Sequence, residues 1–199
     1  LVPPDAEVNL RKSVIGAAND QMMYEHAPLP TQFQSEKVRQ IELDVFRDDA
    51  GGKYYEPLIR GAAGLGPYDD AMKQPGIKVL HVQDVDYHSS CEALKTCLTQ
   101  VKSWSDAHPT HAPIAILLEL KDDPLKVGDY TFTTPDPWTT AAMDGLDAEI
   151  RDVFPEDQII TPDDVRGSAA TLNQAITTTG WPTLRDSRGK VLIFMDNAD

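Results

Sequence analysis

The chain has 199 residues, 41% of them hydrophobic, which is enough for one sizeable core. No stretch approaches the ~20 apolar residues that span a bilayer, so any membrane contact is expected to be peripheral. A formal net charge of -14 argues against nucleic acid, whose phosphates need a concentrated basic surface, and against passive adsorption on anionic lipid. An acidic protein can still act on a phosphate ester if a bound cation reverses the local field.

In chain order, Leu1–Gln32 has several prolines and no clean period. It reads as an irregular lead-in with one short helix near Asn9–Ala17. The first strand is Val38–Phe46, whose alternation puts Gln40, Glu42, Asp44 and Phe46 on one face and Ile41, Leu43 and Val45 on the other. A glycine- and tyrosine-rich loop, Arg47–Pro75, leads to a second strand, Lys78–Val85. A helix is expected over Ser90–Ala107, with Leu94, Leu98, Val101 and Trp104 at helical spacing. The third strand is Ile114–Lys121, followed by a polar loop, Asp122–Trp138. A helix near Thr139–Phe154 carries Met143, Leu146 and Ile150 on one stripe. A short strand Gln158–Thr161, a helix near Ala169–Thr177 and a last strand Lys190–Asp196 complete the pattern. Strands alternating with helices predict βαβ units and a parallel sheet.

Two cysteines, Cys91 and Cys97, allow two readings. Within one helix their Cα atoms would lie roughly 9 Å apart, too far for a disulfide. A pair becomes possible if Cys91 sits in the turn before the helix, and it would imply an oxidising compartment. Leu1 is no initiator methionine, and Asp199 follows a strand immediately. The chain therefore reads as a single barrel domain over 1–199 that lacks sequence on both sides.

Polar residues at strand ends matter most. Glu42 and Asp44 point the same way from one strand, and such a pair repels unless a proton or cation is shared. A hard divalent ion such as Ca2+ suits carboxylate oxygens. His81 interrupts the apolar VLHV run, where a histidine can serve a phosphate as general acid or as cation. Glu119 and Lys121 repeat the geometry on the third strand, offering a further oxygen ligand and a charge for phosphate. In a (β/α) barrel these positions converge on one mouth.

These residues resemble a known family. The runs VRQIELDVFRD, KVLHVQDVDYHSSC and WSDAHPTHAPIAILLELKDD, followed by QIITPDDVRG, TLNQAI and GWPTLRDSRGKVLIFMDN, are similar to Streptomyces-like bacterial, calcium-dependent phosphatidylinositol-specific phospholipases C over residues 24–197. The resemblance implies an α/β, TIM-type barrel, incomplete here in its first and last strands. It implies Ca2+ held by Glu42, Asp44 and Glu119, with catalytic roles for His81 and Glu42 and a substrate contact at Lys121. It further implies a secreted, extracellular, monomeric enzyme acting peripherally on phosphatidylinositol in a membrane or micelle. The family's other catalytic histidine belongs to an HNSYH-like motif with a metal-binding asparagine. That motif is expected before Leu1, and His26, in YEHAPL, does not match it. Two rival readings are a glycerophosphodiester phosphodiesterase, whose usual histidine–aspartate pair is replaced by His81 and VQD, and a non-catalytic barrel-derived binding module.

The remaining histidines His88, His108 and His111 read as loop or helix-end residues. Asp69–Asp70 and Asp122–Asp123 read as solvated. Trp104, Trp138 and Trp181 read as packing residues, with lipid contact at a barrel rim as the alternative.

Overall fold

A computed structural model describes residues 3–197; Leu1, Val2, Ala198 and Asp199 lie outside it. The architecture is α/β, built on a four-stranded mixed sheet. Its strands are β1 (Gln40–Phe46), β2 (Lys78–Val79), β3 (Ile114–Leu120) and a last strand, Val191–Met195, in the order β2-β1-β3 and then the last strand. Between β3 and that last strand a small hairpin forms from β4 (Lys126–Val127) and β5 (Tyr130–Thr131), so the last strand is β6.

The helices are α1 (Asp5–Ile15), α2 (Leu29–Gln34), α3 (Leu58–Ala62), α4 (Leu94–Ala107), α5 (Thr140–Val153), α6 (Pro162–Arg166), α7 (Leu172–Thr178) and α8 (Leu184–Ser187). α4 buries the stripe its spacing predicts, with Leu94, Cys97, Leu98, Val101 and Trp104 all shielded from water. α5 starts where the Thr139 hydroxyl accepts a hydrogen bond from Ala142 N, meeting one of the free donors of the first turn. α6 starts at a reciprocal box between Thr161 and Asp164.

Period-2 burial fixes the sheet. Ile41, Leu43 and Val45 of β1, and Ile114, Ile116, Leu118 and Leu120 of β3, face α2, α4 and α5 and form the main core. Truncating one such residue, for example Leu118 at 1% exposure, would cost roughly 2–5 kcal/mol. The opposite face carries Gln40, Glu42 and Asp44 of β1 and Ala115, Leu117 and Glu119 of β3, exposed or half-buried. Parallel pairing sets Asp44 beside Glu119 and Glu42 beside Leu117.

The sheet departs from the parallel expectation at β2. The predicted strand Lys78–Val85 shrinks to Lys78–Val79 and pairs antiparallel with the end of β1, Val45 opposite Val79. The reason is local. The long loop after β1 folds back rather than crossing over as a helix, closing at Gly51, whose φ of +79° and contact with the Lys73 backbone exclude a side chain. Lys78 is buried at 1% exposure and its ammonium is 3.3 Å from buried Asp48, which anchors the fold-back.

Further differences are smaller. The lead-in contains a full helix, α1, at Asp5–Ile15 rather than a short one near Asn9–Ala17. Helix α4 begins at Leu94, not Ser90. Gln158–Thr161 makes only one bridge, Ile159 to Val191, after a 3-10 turn. Phe46 does not share the exposure of Glu42. It sits in a second cluster with Tyr54, Ile59, Met72, Leu80 and Tyr87.

Cys91 lies in the turn before α4 and is disulfide-bonded to Cys97, with Cα atoms 5.3 Å apart. The two-thiol reading is thereby excluded.

Candidate active site

Three carboxylates meet on the open face of the sheet. Glu42 and Asp44 come from β1 and Glu119 from the adjacent register of β3, and one oxygen of each lies within 4.8 Å of the others. Lys121 leans back over them, its Nζ 2.6 Å from Glu119 Oε1 and 3.7 Å from Asp44 Oδ2. The Asp44 carboxyl is pushed up to about 6. Burial is the main cause; Lys121 opposes it, Glu119 adds to it, His81 opposes it and Glu42 adds to it. Added positive charge would favour its ionised form further. The donor set is all oxygen, anionic and only partly shielded, which fits Ca2+.

His81 lies two residues past the end of β2. Leu80 N donates to Asp44 O, so the antiparallel pairing itself carries His81 to the carboxylates. The chain then turns tightly through Val82–Asp86, where Val82 and Asp86 exchange backbone bonds of 2.9 Å. Asp84 at the apex has φ +69°, a conformation aspartate tolerates better than most residues. Its carboxylate is tied to Leu58 N at the start of α3 and to Thr133. The turn returns Asp86 to its origin, with Oδ2 2.8 Å from His81 Nδ1. The Tyr24 hydroxyl is 3.5 Å from the same nitrogen. The hydrogen bond to Asp86 raises the His81 pKa against the opposing effect of burial, favouring the imidazolium.

Glu42, Asp44, Glu119, His81, Tyr24 and His26 line one cleft of about 600 Å³. The sequence singles out Glu42, Asp44, His81, Glu119 and Lys121, and the fold brings all five together. Asp86, Arg11 and Tyr24 join them only in the structure. Asp86 could have been found as the acid a tight turn away from His81. Arg11 gave no local signal, because a lone arginine on an amphipathic helix reads as solvated.

The other histidines serve packing. His111 is buried and bonded to Ser105 and Ala112 O, and burial lowers its pKa. His108 stacks on Trp104 at 4.3 Å. His88 lies in the loop before α4, as expected, and there reaches wholly buried Glu7, which also accepts from Tyr87. Burial pushes the Glu7 carboxyl up, but the bonds from His88 and Tyr87 outweigh it and the net shift is downward. Asp69, Asp70, Asp122 and Asp123 are exposed as expected. Trp104 is buried and Trp138 packs on the main core. Trp181 is 55% exposed, in the segment between α7 and α8.

Over residues 3–199 the chain matches the family model for Ca2+-dependent phosphoinositide phospholipase C. The chain belongs to this family. A search of the curated proteins gives no match. Among solved structures, a calcium-dependent phosphoinositol-specific phospholipase C from a Gram-negative Pseudomonas species superposes with a TM-score of 0.54 at 23% identity, over 85% of this chain and 51% of that one. A Ca2+-dependent phosphatidylinositol-specific phospholipase C from Streptomyces antibioticus gives a TM-score of 0.54 at 22% identity, over 79% of this chain and 44% of that one. A myoinositol complex of the Pseudomonas enzyme gives 0.52 at 23% identity, over 85% and 51%. The chain thus spans about half the length of these solved relatives, and at this identity the likeness establishes the fold.

Proposed function

We propose that the protein containing this chain is a secreted, calcium-dependent phosphatidylinositol-specific phospholipase C, with Glu42, Asp44 and Glu119 as metal ligands and His81 and Glu42 as catalytic residues. The observation that carries this reading is the convergence of three carboxylates and an aspartate-bound histidine on one cleft. Ca2+ bound there would lower the pKa of the inositol 2-hydroxyl and offset charge on the phosphate.

In the proposed reaction Glu42 takes the proton of the 2-hydroxyl as its oxygen forms a bond to phosphorus. The bond from phosphorus to the diacylglycerol oxygen breaks, and that oxygen leaves with a proton from an acid. His81, whose protonated form the bond to Asp86 favours, is placed to donate to the phosphoryl group or to the leaving oxygen. Lys121, which pairs with Glu119 and lies near Asp44, would be available to the phosphate with a cation held by those carboxylates. On the family's pattern a second histidine and an asparagine would complete the site.

Two structural features support the remaining parts of this reading. β1, β3 and β6 are parallel, with Asp44 and Glu119 in the carboxyl halves of β1 and β3, and β6 exposes Phe194 and Met195. Further strands beside β6 would cover that surface and close a TIM-type barrel. The Cys91–Cys97 bond suits an extracellular setting. Among the described residues no helix is long and apolar enough to cross a membrane, so the lipid is met peripherally.

The test compares phosphatidylinositol with glycerophosphocholine as substrate of the full-length protein, in Ca2+ and in chelator. Calcium-dependent release of cyclic inositol phosphate is expected, and preference for the water-soluble diester would favour the glycerophosphodiesterase reading. His81→Ala should remove turnover and leave Ca2+ affinity nearly intact.

A further inference from the structure

Arg11 is a buried cation that the reaction above does not use. It is wholly shielded from water, and a guanidinium so placed needs every donor occupied. Nε donates to Asn19 Oδ1 at 2.8 Å, Nη1 to Val85 O at 3.1 Å and to Asp86 Oδ1 at 3.4 Å, and Nη2 to Met22 O at 3.5 Å. Arg11 therefore joins α1, the 3-10 turn after it and the His81–Asp86 turn. The Asp86 side chain is 11% exposed, and its two oxygens have different partners. Oδ1 faces Arg11, and Oδ2 faces His81 Nδ1. The other charges bearing on the His81 ring are Asp44 and Lys121.

We infer that Arg11 is a positioning residue: by claiming Oδ1 of Asp86 it fixes the orientation of that side chain, so that its other end, Oδ2, is the one that meets His81 Nδ1. The inference rests on the reading of His81 as catalytic. A carboxylate can only accept, so either oxygen alone would give the same tautomer. The role of Arg11 emerges when residue 86 becomes a carboxamide, whose two ends differ. Arg11 can donate only to the amide oxygen, which must then take the inner place. The amide nitrogen is left facing His81 and donates to Nδ1, moving the ring proton to Nε2.

The experiment is nitrogen–proton NMR of the histidine rings in the full-length protein, at a pH of about 9 where imidazole is neutral, alongside turnover of phosphatidylinositol. Wild type should show His81 as Nδ1–H. Asp86→Asn should switch it to Nε2–H, with Ca2+ affinity unchanged and turnover down roughly 10³-fold or more, as a wrong tautomer costs elsewhere. Adding Arg11→Met, which removes the donors, lets the amide turn its oxygen to His81. The double variant should regain Nδ1–H and at least about tenfold in turnover over Asp86→Asn, whereas a merely structural Arg11 would make it worse. If Arg11→Met does not fold, Asp86→Asn alone still decides: retention of Nδ1–H would show that Arg11 does not set the orientation and would overturn the inference. So would a folded double variant that stays Nε2–H. The expected tautomers in a protein inactive on phosphatidylinositol would uphold the positioning role and count against the proposed function instead.

Discussion

Asp44 is placed where its charge destabilises the metal-free fold, so Asp44→Asn should make the protein more stable in chelator. Its proton affinity rises from an ordinary 3.8 to about 6, chiefly through burial. The native state therefore binds more protons than the unfolded chain between those values, and stability falls as pH rises through that window. Above it the penalty is fully present, ~3 kcal/mol if the shift is converted directly. The side chain is 12% exposed and the carboxamide must itself be desolvated, so a gain of about 1.5 kcal/mol is the better figure. For a chain of this size that corresponds to roughly 3–6 °C in Tm. Calcium reverses the order, because a ligand at 100-fold its Kd stabilises the wild type by ~2.7 kcal/mol and the variant by much less. The assay is thermal or urea denaturation at about pH 7.5 in chelator and in Ca2+, repeated near pH 4, where most of the difference in chelator should be gone. A variant less stable than wild type in chelator at pH 7.5, or one stabilised equally by Ca2+, would refute the reasoning.

The same carboxyl makes calcium binding sensitive to acid. Calorimetric affinity should be level between pH ~7 and ~8 and fall up to about tenfold per pH unit once protons compete for Asp44 below about 6; a flat profile down to pH ~5 would count against Asp44 as ligand. Glu119→Gln removes a ligand oxygen's charge and frees Lys121 from its 2.6 Å partner, so Ca2+ affinity should drop at least ~10-fold, and an unchanged Kd would remove Glu119 from the set. Replacing Cys91 and Cys97 together by serine opens a loop with a sequence separation of six and should cost about 2 kcal/mol. Reductant should lower the Tm of wild type but leave that double variant unmoved.

The two strands that carry the metal ligands were legible because their signal is local. Alternation in Gln40–Phe46 and Ile114–Leu120 states which side of each strand is buried, and the acids fall on the other side. α4 and α5 were legible for the same reason, their buried stripes repeating at helical spacing. β2 was not. Its direction depends on how the loop after β1 folds back on Gly51 and on the buried Lys78–Asp48 pair, and neither leaves a periodic trace. The cysteines stayed ambiguous until the start of α4 at Leu94 put Cys91 outside the helix.

By itself, then, the sequence determined that Glu42 and Asp44 share a strand face and that His81 and Glu119 stand at the ends of two successive apolar runs along the chain, because side-chain direction in a strand follows from position alone. Tertiary structure decided the rest. Register brought Glu119 beside Asp44 and raised the Asp44 pKa. An antiparallel return, rather than a parallel strand, delivered His81 to the acids. The tight turn through Asp84 brought Asp86 to the histidine, with buried Arg11 on its other oxygen. Each depends on groups distant in the chain being desolvated together, and desolvation is a property of the packed molecule.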